Sequence, residues 1–283
     1  MNGASPKALS SPVATLLPDA RTTTGRRHPS TNGRAFTARS VIASTLLGTT
    51  PPTLPVKTLM RSCALFSISP ATARTALTRM VAAGELEVDD GCYSLVGSLR
   101  QRQDRQAESR RGATSADWDG SWVVYIVNKD SRDPLERSRL RASMYRLRTN
   151  EMYPGAWTRP DNLPTSFPNA LGTVEEQCLV FKQATLERPG ELAHRLWDLA
   201  EWSKDARVLV RLMNTTESTL RLDDRKGLAE AFEMNAAVLR LLQADPLLPE
   251  QLLPKTWPGN ELRRVFDSFD QAFIAAWRGW LRS

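Results

Sequence analysis

The stretch Ser69–Gly84, SPATARTALTRMVAAG, followed by ELEVDDGCYSLV over Glu85–Val96, decides the fold of the N-terminal part. Ser69 suits an N-cap, and Pro70 suits the first helical position, where its missing N–H costs nothing. The spacing predicts a helix over Ala71–Ala83 that stops at Gly84, a residue able to take a left-handed backbone. At 100° per residue Ala73, Leu77 and Met80 fall together and face inward, which leaves Ala71, Thr75 and Thr78 on the opposite side. Arg74 flanks that outer face on one side, and Thr72 and Arg79 flank it on the other. Leu86/Val88 and Tyr93/Leu95 then alternate around Asp89-Asp90-Gly91, the pattern of a β-hairpin.

Upstream, Val41, Ile42, Thr45 and Leu46 mark a helix over Ala38–Leu47, and Val56, Leu59, Met60 and Cys63 mark a second over Leu54–Phe66. Three helices and then a hairpin is the order of a winged helix-turn-helix. A helix with small residues at its centre and guanidinium groups at its edges suits a DNA major groove. Ser69, Ala71, Thr72, Arg74, Thr75, Thr78 and Arg79 are therefore the expected DNA-binding residues. Ser69 and Thr72 sit where free backbone N–H groups can hold a phosphate. Asp89 and Asp90 would repel phosphates, so the hairpin tip is expected to avoid the DNA backbone.

Charge is unevenly spread over the 283 residues. Residues 1–116 hold 15 Lys and Arg against 7 Asp and Glu, and the remainder holds 23 against 24. A basic N-terminal part on a near-neutral body fits a polyanion partner bound by one end. Residues 1–35, rich in Ser, Thr, Pro, Gly and Ala, read as a disordered tail, with a DNA-touching arm as the alternative. Leu99–Arg111, with five arginines, reads as a linker helix or a basic tether. Cys63, Cys92 and Cys178 are odd in number and far apart, which fits a reducing, cytoplasmic setting. No apolar run reaches the ~18 residues of a membrane span, and Met1–Pro18 lacks the texture of a signal peptide.

Further on, Trp122–Val127 predicts a strand and Pro134–Arg148 a helix. Strands follow near Ala156–Thr158 and over Gln177–Phe181. The order β-α-β-loop-β suggests a small ferredoxin-like unit. Helices are predicted over Gly190–Met213, Leu228–Gln243 and Glu261–Leu281, with Pro-rich Asp245–Gly259 as a connector. The expected organisation is thus α+β: tail 1–35, winged helix 36–98, linker 99–116, ferredoxin-like domain 117–185 and helical domain 186–283.

Several residues invite other chemistry. Trp118 and Trp122 around Asp119-Gly120 mark either a ligand rim or interdomain packing. Arg137, Arg139, Arg141, Arg146 and Arg148 suit either the phosphates of a nucleotide-like effector or a solvated helix face. With Trp157, the residues Trp118, Trp122, Arg137 and Arg141 form the expected effector-binding group. Asp130 and Asp133 follow the end of the first central strand, Val127-Asn128, and raise the rival of a metal-dependent nuclease. His28 and His194 have no companion at metal-ligand spacing, and no Gly-rich phosphate loop occurs. No enzyme, cofactor or metal site is expected. A protein-interaction winged helix is the remaining alternative.

The chain resembles the PaaX-type family of phenylacetic-acid-degradation repressors from about Thr37 to Trp280. The resemblance rests on Ser69–Gly84 with Tyr93-Ser94-Leu95, then on Trp118-Asp119-Gly120-Ser121-Trp122, Arg139-Leu140-Arg141 and Gly155–Pro160. Asp245–Pro249, Leu252-Leu253-Pro254 and Trp257-Pro258-Gly259 complete it. It implies a central domain that is Cas2-like, a homodimer on an inverted-repeat operator, and repression of a catabolic operon relieved by an effector such as an acyl-CoA. Arg74 and Arg79 match the family's recognition-helix arginines.

Overall fold

The computed structural model describes residues 36–112, 118–128, 133–164, 171–220 and 225–282. The expected tail and Asp130 lie outside these. Among the described residues the protein is α+β, with ten α-helices and two antiparallel sheets.

Helix α1 (Ala38–Leu47) starts with a capping box, in which Thr37 and Ser40 serve each other's backbone N–H. The sequence places a helix from Leu54, but Thr53–Pro55 is a strand, β1, and helix α2 runs Val56–Leu65. Pro55 explains the shift, because the residue before a proline is pushed to extended backbone. Helix α3 is Pro70–Ala82, and it ends in a Schellman motif. Glu85 N–H bonds the Met80 carbonyl and Gly84 N–H the Val81 carbonyl, both at 3.0 Å, with Gly84 at φ +65°. Strands β2 (Leu86–Asp89) and β3 (Cys92–Leu95) pair around Asp90-Gly91, both at positive φ (43° and 71°), as a type I′ hairpin turn requires. β1 adds to the far edge of β3, giving the order β1-β3-β2.

Leu99–Arg111 is no free tether. Helix α4 (Gly97–Arg111) buries Leu99, Gln106 and Ser109. The unit packs against the C-terminal helices α8 (Leu199–Leu220), α9 (Arg225–Gln243) and α10 (Gly259–Arg282) in one continuous core. Phe36, Phe66 and Phe232 meet there with ring centroids 4.8–5.6 Å apart, while Arg110 pairs with Asp267 and Asp270 on α10. The helix predicted over Gly190–Met213 is two, α7 (Pro189–Leu196) and α8. Buried Trp197 breaks it in extended conformation, and Asp198 caps the new start by accepting from Glu201 N–H at 3.0 Å.

The central sheet consists of β4 (Trp122–Val127), β5 (Asn150–Tyr153), β6 (Ala156–Pro160) and β7 (Cys178–Ala184), in the order β5-β6-β4-β7. The sequence reading missed β5, which Pro154-Gly155 folds back on β6. Helices α5 (Pro134–Arg146) and α6 (Leu171–Gln177) complete a β-α-β-β-α-β run. Strand alternation sends Val123 and Tyr125 to the core under α5. It sends Trp122 to the other face, against Trp197, Leu248 and α7.

Asp205 on α8 is buried. Burial, then Glu201 and Asp198, push its carboxyl up to about 6, against an opposing pull from Lys204. The neutral form is favoured in the folded state. Its stabilising contribution is therefore full below the unfolded value near pH 4 and is lost as pH rises through about 6. Asp205→Asn is expected to gain about 1–2 kcal/mol at neutral pH and almost nothing near pH 4. Melting temperatures of both proteins across that range check it; a constant offset contradicts it.

Candidate nucleic-acid interface

Helix α3 presents the expected face to solvent. Ala73, Leu77 and Met80 are wholly buried against α1 and α2, while Ser69, Ala71, Thr72, Arg74, Thr75, Thr78 and Arg79 are all exposed. Ser69 Oγ accepts the Thr72 N–H at 3.2 Å and lies 2.9 Å from the Thr72 hydroxyl. Ser69→Ala is expected to cost about 1 kcal/mol of stability, seen as a lower denaturant midpoint; an unchanged midpoint contradicts the cap. Thr75 and Thr78 donate to the carbonyls of Ala71 and Arg74, at 3.0 and 3.2 Å. Their methyl groups and free lone pairs form a low, uncrowded centre on the exposed face.

Arg74 and Arg79 form no ion pair or hydrogen bond among the described residues. Other arginines of this half are committed. Arg39 pairs with Glu85, Arg61 lies over the Trp280 ring, and Arg110 holds two aspartates. Among the described residues of this half, much of the positive charge is therefore spent away from this face. Residues 36–98 carry five basic and four acidic side chains, and exposed Glu87, Asp89 and Asp90 make the hairpin negative. The two cations of α3 are the available polyanion contacts of the unit's outer face, beside Lys57 at the start of α2.

The five residues expected to bind an effector do not share one surface. Trp122 is fully buried between Trp118 and Trp197, with centroids 6.5 and 6.4 Å away. Trp118 donates its Nε1 proton to the Ser121 carbonyl at 2.7 Å. Trp157 is buried on the opposite face of the sheet, edge-on to Tyr145 at 5.8 Å. Arg137 is exposed and Arg141 half-buried on α5. Period-two alternation separates Trp122 from Trp157, and both are core residues, while Trp118 is half-buried beside Trp122.

Asp133 caps α5, accepting the Leu135 and Glu136 N–H groups at 2.6 and 2.9 Å, and these bonds hold its carboxyl below the usual range. His194 is exposed on α7. Among the described residues no group of three metal-ligating side chains assembles.

Sequence reasoning missed the buried arginine at the centre of the molecule. Arg159 on β6 donates Nε to the Pro160 carbonyl (2.9 Å) and Nη1 to the Leu147 carbonyl (3.0 Å). Its Nη2 donates to Asn162 Oδ1 (2.6 Å) and to the Leu247 carbonyl (3.1 Å). Beside it, Arg263 Nη2 pairs with buried Asp245 at 2.7 Å. An arginine directly after the strand predicted near Ala156–Thr158 was the available signal, since a guanidinium carried into a sheet must find acceptors.

Residues 37–98 match the PaaX-like protein family, and residues 197–282 match the PaaX-like protein C-terminal domain. The solved structure of an uncharacterized protein, Rv0674 from Mycobacterium tuberculosis, is similar at 36% sequence identity. The similarity covers 86% of this chain and 98% of that one, with a TM-score of 0.67. No curated protein matches the chain. With both family regions in sequence order on one continuous core, this chain belongs to the PaaX-type transcriptional regulator family.

Proposed function

We propose that the protein is a DNA-binding transcriptional regulator whose α3 reads the major groove, acting as an effector-responsive repressor and not as an enzyme. The observation that carries this reading is the pair of unpaired, exposed arginines flanking a shallow threonine and alanine face. Three helices with a β1-β3-β2 sheet support a winged helix for the N-terminal unit. The central β-α-β-β-α-β order, with all pairs antiparallel, supports a ferredoxin-like, Cas2-like unit. Two copies on an inverted repeat would place half-sites about one helical turn, or a multiple of it, apart. An acyl-CoA is the effector class that the family suggests.

The shared core between the reading unit and the C-terminal helices gives an effector a route to α3. A ligand that favours one seating of α4 over another changes how the two α3 helices of a dimer are spaced, provided its affinity for the two geometries differs. Selection of bound sequences from random duplex DNA tests the reading. A recovered inverted repeat supports it. Recovery of no enriched sequence at low ionic strength contradicts it.

A further inference from the structure

Four buried polar side-chain atoms lack a hydrogen-bond partner among the described residues, and three of them are arginine Nε atoms: Arg146, Arg148 and Arg263. The three belong to one seam, where α4, the end of α5 and the start of α10 meet. Arg148 turns inward with a left-handed backbone (φ +58°) and donates Nη2 to Ser109 Oγ on α4 at 2.7 Å. Arg263 donates to the Ser109 carbonyl at 3.2 Å and to Asp245 Oδ2. Arg105, one turn before Ser109 on α4, stands within electrostatic reach of Arg146 and is repelled by it.

Negative charge in the seam falls short. Asp245 is already engaged by Arg263 and by the Leu247 N–H, which its Oδ1 accepts at 2.9 Å. Glu108 is the other acidic group facing Arg146 and Arg148, and burial raises its carboxyl above the usual value. Desolvation lowers the Arg148 guanidinium to about 10, still protonated at neutral pH; Asp245 and Glu108 oppose the shift and neighbouring Arg263 adds to it. Buried guanidinium groups that repel one another and keep unmatched N–H donors call for an acceptor beyond the described residues. The arginines divide accordingly: Arg137 and Arg139 are exposed on α5, whereas Arg146 and Arg148 at its end turn to the seam.

We propose that this seam binds a small, multiply charged oxyanion, the phosphate or pyrophosphate group of a small molecule, through Arg105, Arg146 and Arg148. A planar guanidinium presents paired donors to such a group, and two or three of them match its charge. Because α4 joins the reading unit to the rest, an anion drawn between Arg105 and Arg146 would fix that helix against α5. This regulatory meaning rests on the effector-responsive reading; the binding itself does not.

Calorimetric titration of the full chain with inorganic pyrophosphate tests the site. The expected result is saturable binding at one site per chain, weakened at least about tenfold by Arg146→Gln and by Arg105→Gln, and unchanged by Arg74→Ala. Arg105 is half-exposed, so its variant keeps the test valid if Arg146→Gln does not fold. No saturable binding overturns the proposal, as does binding lost in Arg74→Ala but kept in both seam variants. Duplex affinity of the same proteins is the separate readout for the regulator reading. A seam that binds pyrophosphate in a protein that ignores DNA would refute that reading alone.

Discussion

Arg159→Met is expected to lower unfolding stability by about 3–5 kcal/mol, because several buried acceptors lose their donor at about 1–3 kcal/mol each. The side chain is buried (2% exposed), and burial pulls the guanidinium down to about 9, so it stays charged at neutral pH. Among the described residues no carboxylate pairs with it directly; it donates to Pro160, Leu147, Asn162 and Leu247. Removing it takes this donor from the Leu147 and Pro160 carbonyls and from Asn162 Oδ1, while the Leu247 carbonyl keeps its bond from Asn162 Nδ2, and an apolar methionine cannot replace it. Arg159→Lys is not a rescue, because one ammonium cannot reach acceptors set around a planar fork. The Leu247 bond, shared with Asn162 Nδ2 at 3.0 Å, pins the Pro-rich connector to the central sheet, so the damage spreads to α10. Urea unfolding monitored by circular dichroism measures the effect, and a loss below about 1 kcal/mol contradicts the account.

Arg74→Ala is expected to weaken specific duplex binding roughly tenfold to hundredfold, or about 1–3 kcal/mol, and to relax preference at one base position. Its melting temperature should not move, because Arg74 is exposed and supports no ion pair among the described residues. Arg100→Ala offers the contrast. That arginine is exposed on α4 near Asp104 and is not part of the α3 face, and its loss is expected to leave sequence preference unchanged. A gel-shift series on selected sites distinguishes the two. Equal losses from both variants would mean that α3 contributes charge and no reading.

The α3 face was legible because three separate signals agree there: the Ser69-Pro70 start, the Gly84 stop and the Ala73/Leu77/Met80 period. Local signals of the same kind gave the Asp90-Gly91 hairpin. What the sequence hid was non-local. β1 is three residues long and exists because β3 has a free edge, which no local pattern reveals. β5 lacks clean alternation, since a bulge shifts its register between Glu151 and Tyr153. The break at Trp197 replaces helix with packing against Trp122, a partner 75 positions earlier in the chain. The same holds for charge. Counting arginines placed a basic surplus at the N-terminal end, whereas the structure spends Arg39 and Arg110 of that part on ion pairs. The tryptophans suggested a ligand rim because bulky aromatics suit both rims and cores, and only the alternation of strand faces separates the two.

The central claim is that the exposed side of α3 holds paired DNA strands through Arg74 and Arg79. Fluorescence anisotropy with a labelled duplex, carried out over a salt series on wild type and on the Arg74→Ala/Arg79→Ala double variant, addresses it most directly. The account predicts that affinity falls with salt and that the double variant loses about 2 from the log–log slope per protomer, together with all preference for the selected site. A wild-type affinity indifferent to salt, or a double variant with an unaltered slope and preference, would contradict it.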